Sequence, residues 1–315
     1  MDLPQVDLTD AQRRTLERLI GTGERPAYED DLAEHLRGRM EAAIGERTTP
    51  GGVWIGKRRL TEFGQCEGLL AADLLEEMPP FEHDERSAIG AVVHRAIQAD
   101  IEVGAVDRED APEAVCALAV EKLLADASKR SFAEFWTAAD EASRERVLGE
   151  ASGLLARFRA TFPPLRAYRS ALTPSAEFRV KADLREGVVS MSGYVDLAIG
   201  RPEKGRATRL LVDHKTGAAH QEQVEEMRYY ALVHTLQHAV PPYRIASFFV
   251  GSGEWQAEDV SYEVLEHAAD RVAATARRAI DLLEGDGAGP LNPGPWCGWC
   301  PRADGCPARA AADTA

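Results

Sequence analysis

The sequence has 315 residues, of which 44% are hydrophobic and 28% are charged, so it can form a sizeable core and is not globally disordered. Its net charge of −15 at pH 7 excludes a protein that coats nucleic acid with its whole surface, although an enzyme with a local basic track is compatible with it. The sequence has no run of about 18 uncharged apolar residues and no secretory pattern in residues 1–4, so we expect a cytoplasmic protein without a membrane span.

The N-terminal half of the sequence predicts helices. Thr9 and Asp10 are typical of a helix start, and residues 1–52 are predicted to form a helical extension that ends at Gly51 and Gly52. Apolar spacing predicts helices at residues 11–20, 60–75, 87–102, 112–127 and 131–162, and a short strand at residues 53–55. The second domain would then cover residues 53–315, with a helical insertion at about residues 105–165.

The pattern in the C-terminal half changes to a period of two. It predicts strands at residues 175–181, 188–199, 209–213 and 243–250, and helices at residues 221–237 and 263–283. This order of strands and helices predicts a mixed sheet flanked by helices, which is an α/β or α+β fold.

Two acidic residues on predicted strands are candidate metal ligands. Asp213 and Lys215 follow three apolar residues and are two positions apart, so both side chains should lie on one face of the strand end. Asp196 is a single acid within an apolar strand, where a buried carboxylate requires a cation or a donor. Asp196 and Asp213 are therefore candidate ligands of Mg²⁺ or Mn²⁺. Lys215 would orient or deprotonate an attacking water, or offset negative charge in the transition state.

His94 is the third candidate ligand. It lies in a helix of small and apolar residues, one turn after Gly90, so that face of the helix can accept a close neighbour. Each feature also has a simpler interpretation: a surface ion pair for Asp213 and Lys215, a turn cap for Asp196, and a core histidine for His94.

The order of these motifs resembles the RecB-like branch of the PD-(D/E)XK nuclease superfamily. The matching segments are Gly90 with His94, GYVD at residues 193–196, and DHK at residues 213–215. The resemblance implies a restriction-endonuclease-like fold and a divalent cofactor, Mg²⁺ or Mn²⁺. It assigns the active site to His94, Asp196, Asp213 and Lys215.

Further site residues come from the same resemblance. Glu177 matches a supporting acid on the preceding strand, and the backbone carbonyl of His214 matches a metal ligand. Tyr230 matches a tyrosine on the helix after the lysine, but Glu226 stands where the family usually has glutamine. Gln223, one turn earlier, is a candidate substitute for that glutamine.

The cysteines form a second candidate centre. Cys297, Cys300 and Cys306 are closely spaced among Gly and Pro residues, and a closed site needs a fourth thiolate. The spacing is compatible with either a zinc site or an iron–sulfur cluster. One upstream cysteine with three at the C-terminus resembles the iron–sulfur nucleases, namely AddB-type subunits and CRISPR-associated RecB-like exonucleases. This resemblance makes Cys66 the fourth ligand of a structural [4Fe–4S] cluster, with structural Zn²⁺ as the alternative, whereas Cys116 is predicted to be a buried thiol.

The resemblance implies a metal-dependent DNA nuclease, with an exonuclease on single strands or DNA ends as the expected activity. DNA is the expected partner, together with a helicase or a protein of CRISPR, defence or repair systems. The alternative is a catalytically weak nuclease fold that binds DNA ends or scaffolds a helicase–nuclease complex. The replacement by Glu226 is the feature that favours this alternative.

Overall fold

The computed structural model describes residues 4–21, 25–102 and 109–312. The helices in these ranges are α1 (Asp10–Ile20), α2 (Leu32–Ile44), α3 (Lys57–Gln65), α4 (Glu67–Leu74), α5 (Glu85–Ile101), α6 (Pro112–Ala125), α7 (Arg130–Ala138), α8 (Glu141–Thr161), α9 (Arg169–Leu172), α10 (Glu222–His238), α11 (Tyr262–Leu283) and α12 (Pro307–Ala312). The strands are β1 (Val53–Ile55), β2 (Ser175–Leu184), β3 (Val189–Ile199), β4 (Leu210–Lys215), β5 (Arg244–Phe249) and β6 (Glu254–Asp259). Residues 103–108, which include the start of the predicted insertion, lie outside the described residues.

The start of α1 shows how short-range chemistry sets an element boundary. The Thr9 hydroxyl accepts a hydrogen bond from the Gln12 amide at 3.2 Å, and the Gln12 side chain accepts one from the Thr9 amide at 2.9 Å. This capping box pairs amides that the first helical turn leaves without partners. The helix predicted from residue 11 is thus confirmed, with Thr9 as its cap.

Two predicted helices were wrong because each is divided in two. Residues 60–75 contain the last part of α3 and the whole of α4. The two helices are separated by Cys66, whose backbone is extended at φ −163° and ψ 126°. The predicted helix at residues 131–162 is interrupted at Ala139, after which the Asp140 carboxylate accepts a hydrogen bond from the Ser143 amide and caps α8. Such a local cap competes with continuation of the preceding helix.

Strand β6 was not predicted. It pairs antiparallel with β5 at the edge of the sheet, and four of its six residues are exposed. Its strand structure comes from the hydrogen bonds to β5, because its own sequence lacks an apolar alternation. Trp255 is the residue that anchors it, with its ring centroid 5.0 Å from that of Phe248.

The sheet is mixed, and β3 is its central strand. Strand β2 pairs with β3 along nearly its whole length, from Ser175↔Ala198 to Leu184↔Val189. The other edge of β3 pairs first with β1, in parallel, up to Met191↔Ile55, and then with β4, antiparallel, from Leu197↔Val212. The carboxyl end of β4 therefore diverges from β3 beside residues 192–196. The sheet continues through β5, which pairs in parallel with β4.

Helices cover both faces of the sheet and form two cores. One core contains apolar residues of α2, α10 and α11 against the sheet, and the other contains those of α5, α6 and α8. This arrangement confirms the predicted α/β class with a mixed sheet flanked by helices. The domain boundary at residue 52 stays a prediction. On its N-terminal side, Leu36, Met40 and Ile44 of α2 are fully buried in the first core.

In the part of the chain that the structure describes, no helix is long and apolar enough to cross a membrane.

A buried ion pair joins α5 to α8 behind the sheet. The Arg159 guanidinium donates to both carboxylate oxygens of Asp100, at 2.9 and 2.7 Å, and the two residues are 9% and 4% exposed. Asp100→Asn should lower the free energy of unfolding by about 3–5 kcal/mol, because it removes the negative charge that is hydrogen-bonded to a buried guanidinium. Urea unfolding measures this change. Asp10→Asn, which alters a surface pair with Arg13, should leave the midpoint unchanged, and equal effects of the two variants would contradict the prediction.

Candidate active site

The candidate site lies where β4 diverges from β3. Asp196 of β3 and Asp213 of β4 lie just beyond the last paired residues, and His94 of α5 reaches the same point from the helical side. Lys215 follows at the end of β4. The structure thus brings together four residues that are separated by up to about 120 positions in the sequence.

Asp196 is fixed by two hydrogen bonds. One carboxylate oxygen lies 3.1 Å from His94 Nδ1, and the other accepts from the backbone amide of His214 at 2.5 Å. Burial alone would raise the pKa of Asp196, but His94 and the His214 amide hold it well below its usual range. Burial would likewise lower the pKa of His94, but the Asp196 carboxylate raises it to about 9. His94 and Asp196 thus favour each other's charged forms.

Asp213 is buried and forms an ion pair with Lys215. The side chain of Asp213 is 8% exposed, and one of its oxygens lies 2.7 Å from Lys215 Nζ, as expected for two residues on one strand face. Burial and the charge of Asp196 raise the pKa of Asp213. Burial lowers the pKa of Lys215, but Asp213 and Glu226 raise it above its ordinary value, so Lys215 is an ammonium ion.

Glu226 joins two lysines at the site. Its carboxylate accepts from Lys215 Nζ at 2.9 Å and from Lys57 Nζ at 3.2 Å. Lys57 is the first residue of α3 and was missed in the sequence, where it lies 139 residues before Asp196. The only sequence feature that could have identified Lys57 is its position two residues after the end of strand β1. The glutamate that departs from the family pattern is thus the counter-ion of two cations.

This network predicts a measurable coupling between Lys57 and Glu226. In a double-mutant cycle of Lys57→Met and Glu226→Gln, urea unfolding should give a coupling free energy of about 0.5–1 kcal/mol, since the pair is only partly exposed. The Lys204–Asp30 pair, with both side chains well exposed, is the matched control and should show no measurable coupling. Additive effects of Lys57→Met and Glu226→Gln would contradict the network.

Tyr230 packs against β3 beside the site. A Cβ atom at Gly193 would lie 2.5 Å from Tyr230 Cε1, so only glycine at this position leaves room for the ring. Tyr230 is 3% exposed, and burial raises the pKa of its hydroxyl. Gly90 differs from Gly193, because a Cβ there would meet Thr216 Oγ1 at an ordinary 3.5 Å and would be tolerated.

Glu177 lies opposite Asp196 on β2, between the pairs Ala176↔Leu197 and Phe178↔Val195. Its φ of +48° is in the left-handed region, which costs a residue other than glycine about 1–3 kcal/mol. Burial and the charge of Asp196 raise the pKa of Glu177. Together with His94, it lines a cavity of about 600 Å³.

The His214 side chain belongs to a core rather than to the metal site. It is 1% exposed, and its ring makes edge contacts with Phe158, Phe162 and Phe248 at centroid distances of 5.4, 5.6 and 6.2 Å. Burial lowers the pKa of His214 to about 4, so the imidazole is neutral. The predicted metal ligand is its backbone carbonyl, and that role stays a prediction.

The four predicted cluster cysteines meet at one place. Cys66, at the break between α3 and α4, lines a cavity of about 190 Å³ together with Cys297, Cys300 and Cys306. Cys116 is elsewhere: it is fully buried in α6, within the second core. The fold thus places Cys66 near the C-terminal segment, although the two are far apart in the sequence.

The fold brings potential metal-binding side chains together at two places. Among the described residues, no three His, Cys, Asp or Glu side chains are arranged to hold one metal ion. Asp196 and Asp213 are nevertheless two buried carboxylates, and the charge of Asp196 opposes ionisation of Asp213, a conflict that a divalent cation bound by oxygen would relieve. Cys66, Cys297, Cys300 and Cys306 line one cavity, and thiolates are ligands of both zinc ions and iron–sulfur clusters.

Comparisons with known proteins show the superfamily of the chain. The sequence model of the PD-(D/E)XK nuclease superfamily matches residues 58–307, and the chain belongs to this superfamily. Proteins of this class are phosphodiester-cleaving nucleases that generally use divalent metal ions. The curated proteins contain no match. Among solved structures, the chain is similar to SSO0001, with 11% identity, a TM-score of 0.29, and coverage of 71% of this chain and 96% of that one.

Proposed function

We propose that the chain is a divalent-metal-dependent deoxyribonuclease of the RecB-like branch, with exonuclease activity on single strands or DNA ends. The observation that carries this proposal is the convergence of His94, Asp196, Asp213 and Lys215 where β4 diverges from β3. Surface ion pairs and turn caps, the simpler interpretations, do not account for two buried carboxylates on neighbouring strands.

The residues suggest how the hydrolysis would proceed. Asp196, Asp213, His94 and the His214 carbonyl would hold Mg²⁺ or Mn²⁺, which supplies an activated water at neutral pH. Asp196 is oriented by the His214 amide, so it is positioned before a metal binds. The Lys215 ammonium would offset the negative charge that develops on the phosphate. Glu177 would act as a supporting acid and Tyr230 would help to position the DNA.

We also propose that Cys66, Cys297, Cys300 and Cys306 hold a structural [4Fe–4S] cluster, with Zn²⁺ as the alternative. The shared cavity supports one common centre for the four thiolates, and the resemblance to the iron–sulfur nucleases favours the cluster over zinc. Such a cluster would link the start of the domain, proposed at residue 53, to its C-terminal segment and would restrict the unfolded chain.

A second candidate function is a catalytically weak subunit that binds DNA ends or scaffolds a helicase–nuclease complex. The ion pair between Glu226 and Lys215 favours it, because Glu226 competes with a phosphate for the ammonium ion. A helicase or a protein of a CRISPR, defence or repair system would be the partner in either case.

The deciding experiment is cleavage of end-labelled single- and double-stranded DNA in Mg²⁺ and in Mn²⁺. Progressive loss of label from the strand end supports the exonuclease, and internal cuts contradict that part of the proposal. Absence of cleavage in both metals, with retained binding to DNA ends, would favour the second candidate.

His94→Ala should require a higher Mn²⁺ concentration for the same cleavage rate, because it removes a proposed imidazole ligand of the metal ion. If the metal titration curves of the variant and the wild type superimpose, His94 is a core histidine.

A further inference from the structure

One face of the sheet beside the candidate site is exposed and carries a regular pattern. In β3, Val189, Met191 and Val195 are buried in a core, whereas Tyr194 is exposed on the opposite face. In β2, the exposed residues alternate with buried ones in the same way, and antiparallel partners share a face. The exposed face therefore contains Arg179, Lys181, Ser190, Ser192 and Tyr194.

Two aromatic side chains lie on this face. Tyr194 is 55% exposed and Trp54, on the neighbouring strand β1, is 45% exposed. The indole of Trp54 donates a hydrogen bond to Ser192 Oγ at 3.0 Å, which places its ring on the same face as Tyr194. A Cβ atom at Gly56 would lie 2.2 Å from the Trp54 ring, so glycine at this position gives the ring its space. The two aromatics are held by the fold and are open to a ligand.

Cations accompany the aromatics in a chain whose net charge is −15. Arg179 lies opposite Tyr194 in the register, and Lys181 lies opposite Ser192. In residues 4–21, 25–102 and 109–312, neither side chain takes part in an ion pair, and both residues are exposed. Asp183 is at the end of β2 that is farther from Asp196, and Glu177 is at the end beside the site, so Arg179 and Lys181 lie between the two acids. The charge pattern suits a polyanion that approaches the metal site.

We propose that this face, formed by Trp54, Arg179, Lys181 and Tyr194, binds single-stranded DNA and leads it to the candidate site. Bases would stack on Tyr194 and Trp54, and phosphates would lie near Arg179 and Lys181. Tyr194 is two residues before Asp196, or about 7 Å along the strand, which is about one nucleotide away. A duplex keeps its bases stacked on each other, so this face distinguishes single strands from duplex. The inference rests on the proposed function, whose substrate it narrows to single strands.

The test measures equilibrium binding of fluorescently labelled oligo(dT) and of a blunt duplex to the full chain in EDTA, where cleavage does not interfere. Tyr194→Ala and Trp54→Ala should each weaken binding of oligo(dT) at least fivefold, in line with the usual effect of removing a stacking aromatic, while duplex binding changes less. Tyr194→Phe should bind like wild type. Arg179→Ala and Lys181→Ala should each reduce the salt dependence of log K by about 0.7.

Tyr262→Ala and Lys204→Ala change an exposed tyrosine on α11 and an exposed lysine elsewhere, and both should bind oligo(dT) like wild type. Unchanged affinity of the Tyr194 and Trp54 variants, or an equal loss for duplex, would overturn the inference. A change in oligomeric state of Tyr194→Ala would overturn it too, in favour of an interface between copies. Binding that follows this pattern in a protein that cleaves no DNA would contradict only the proposed function. Cleavage without any effect of Tyr194 or Trp54 on binding would contradict only this inference.

Discussion

Lys215→Ala and Asp213→Ala should each reduce DNA cleavage to less than about a thousandth of the wild-type rate. Lys215 is the cation closest to Asp213, at 2.7 Å, and its loss removes the charge that would stabilise the transition state. Asp213→Ala removes one of two buried carboxylates that would hold the metal ion. The measurement is kcat on end-labelled DNA at saturating Mn²⁺, so that a weakened metal affinity does not hide the result.

The structure supplies a control for this prediction. Lys204→Ala removes a lysine whose side chain is 86% exposed and should leave kcat unchanged. Thermal unfolding should show that Lys215→Ala and Asp213→Ala are folded. If either variant cleaves DNA at near wild-type rate while folded, the assignment of the active site to this strand end is wrong.

Cys66→Ala should lose the proposed cluster and, with it, the attachment of the C-terminal segment. Cys66 and the three C-terminal cysteines line one cavity, so removing a single thiolate opens a closed site. Iron content should fall to background, residues after about 285 should become sensitive to protease, and the variant should aggregate as apolar surface is uncovered. Cys116→Ala, in a different core, should retain full iron.

Three measurements on anaerobically prepared protein separate the alternatives for this centre. About four iron atoms and about four acid-labile sulfides per chain support [4Fe–4S]. Stoichiometric zinc without sulfide would replace the cluster by a zinc site and leave the nuclease proposal in place. Full iron loading of Cys66→Ala would show that the fourth ligand is wrong.

The sequence alone determined the class of fold and the order of the site motifs. The apolar alternation of β3 and β4 and the capping residues of α1 are local signals, since each depends on neighbours within a few residues. For the same reason, the acid in β3 and the Asp–Lys pair in β4 were visible as departures from an apolar pattern. The superfamily match over residues 58–307 then confirmed the predicted superfamily.

The tertiary structure decided what depends on distant residues. The break at Cys66 interrupts a pattern that locally favours a helix, and the edge strand β6 exists because β5 supplies its hydrogen bonds. Strand β1 pairs with β3, the strand that carries Asp196. Helix α3 begins two residues after the end of β1, and this places Lys57 next to Glu226. The Lys57–Glu226 and β1–β3 contacts join segments more than one hundred residues apart, and β5 and β6 are adjacent strands; no periodicity within a segment encodes either kind of contact. Interactions between residues close in the sequence therefore determine most helices and strands, whereas the pairing of the strands determines which charged side chains meet at the site.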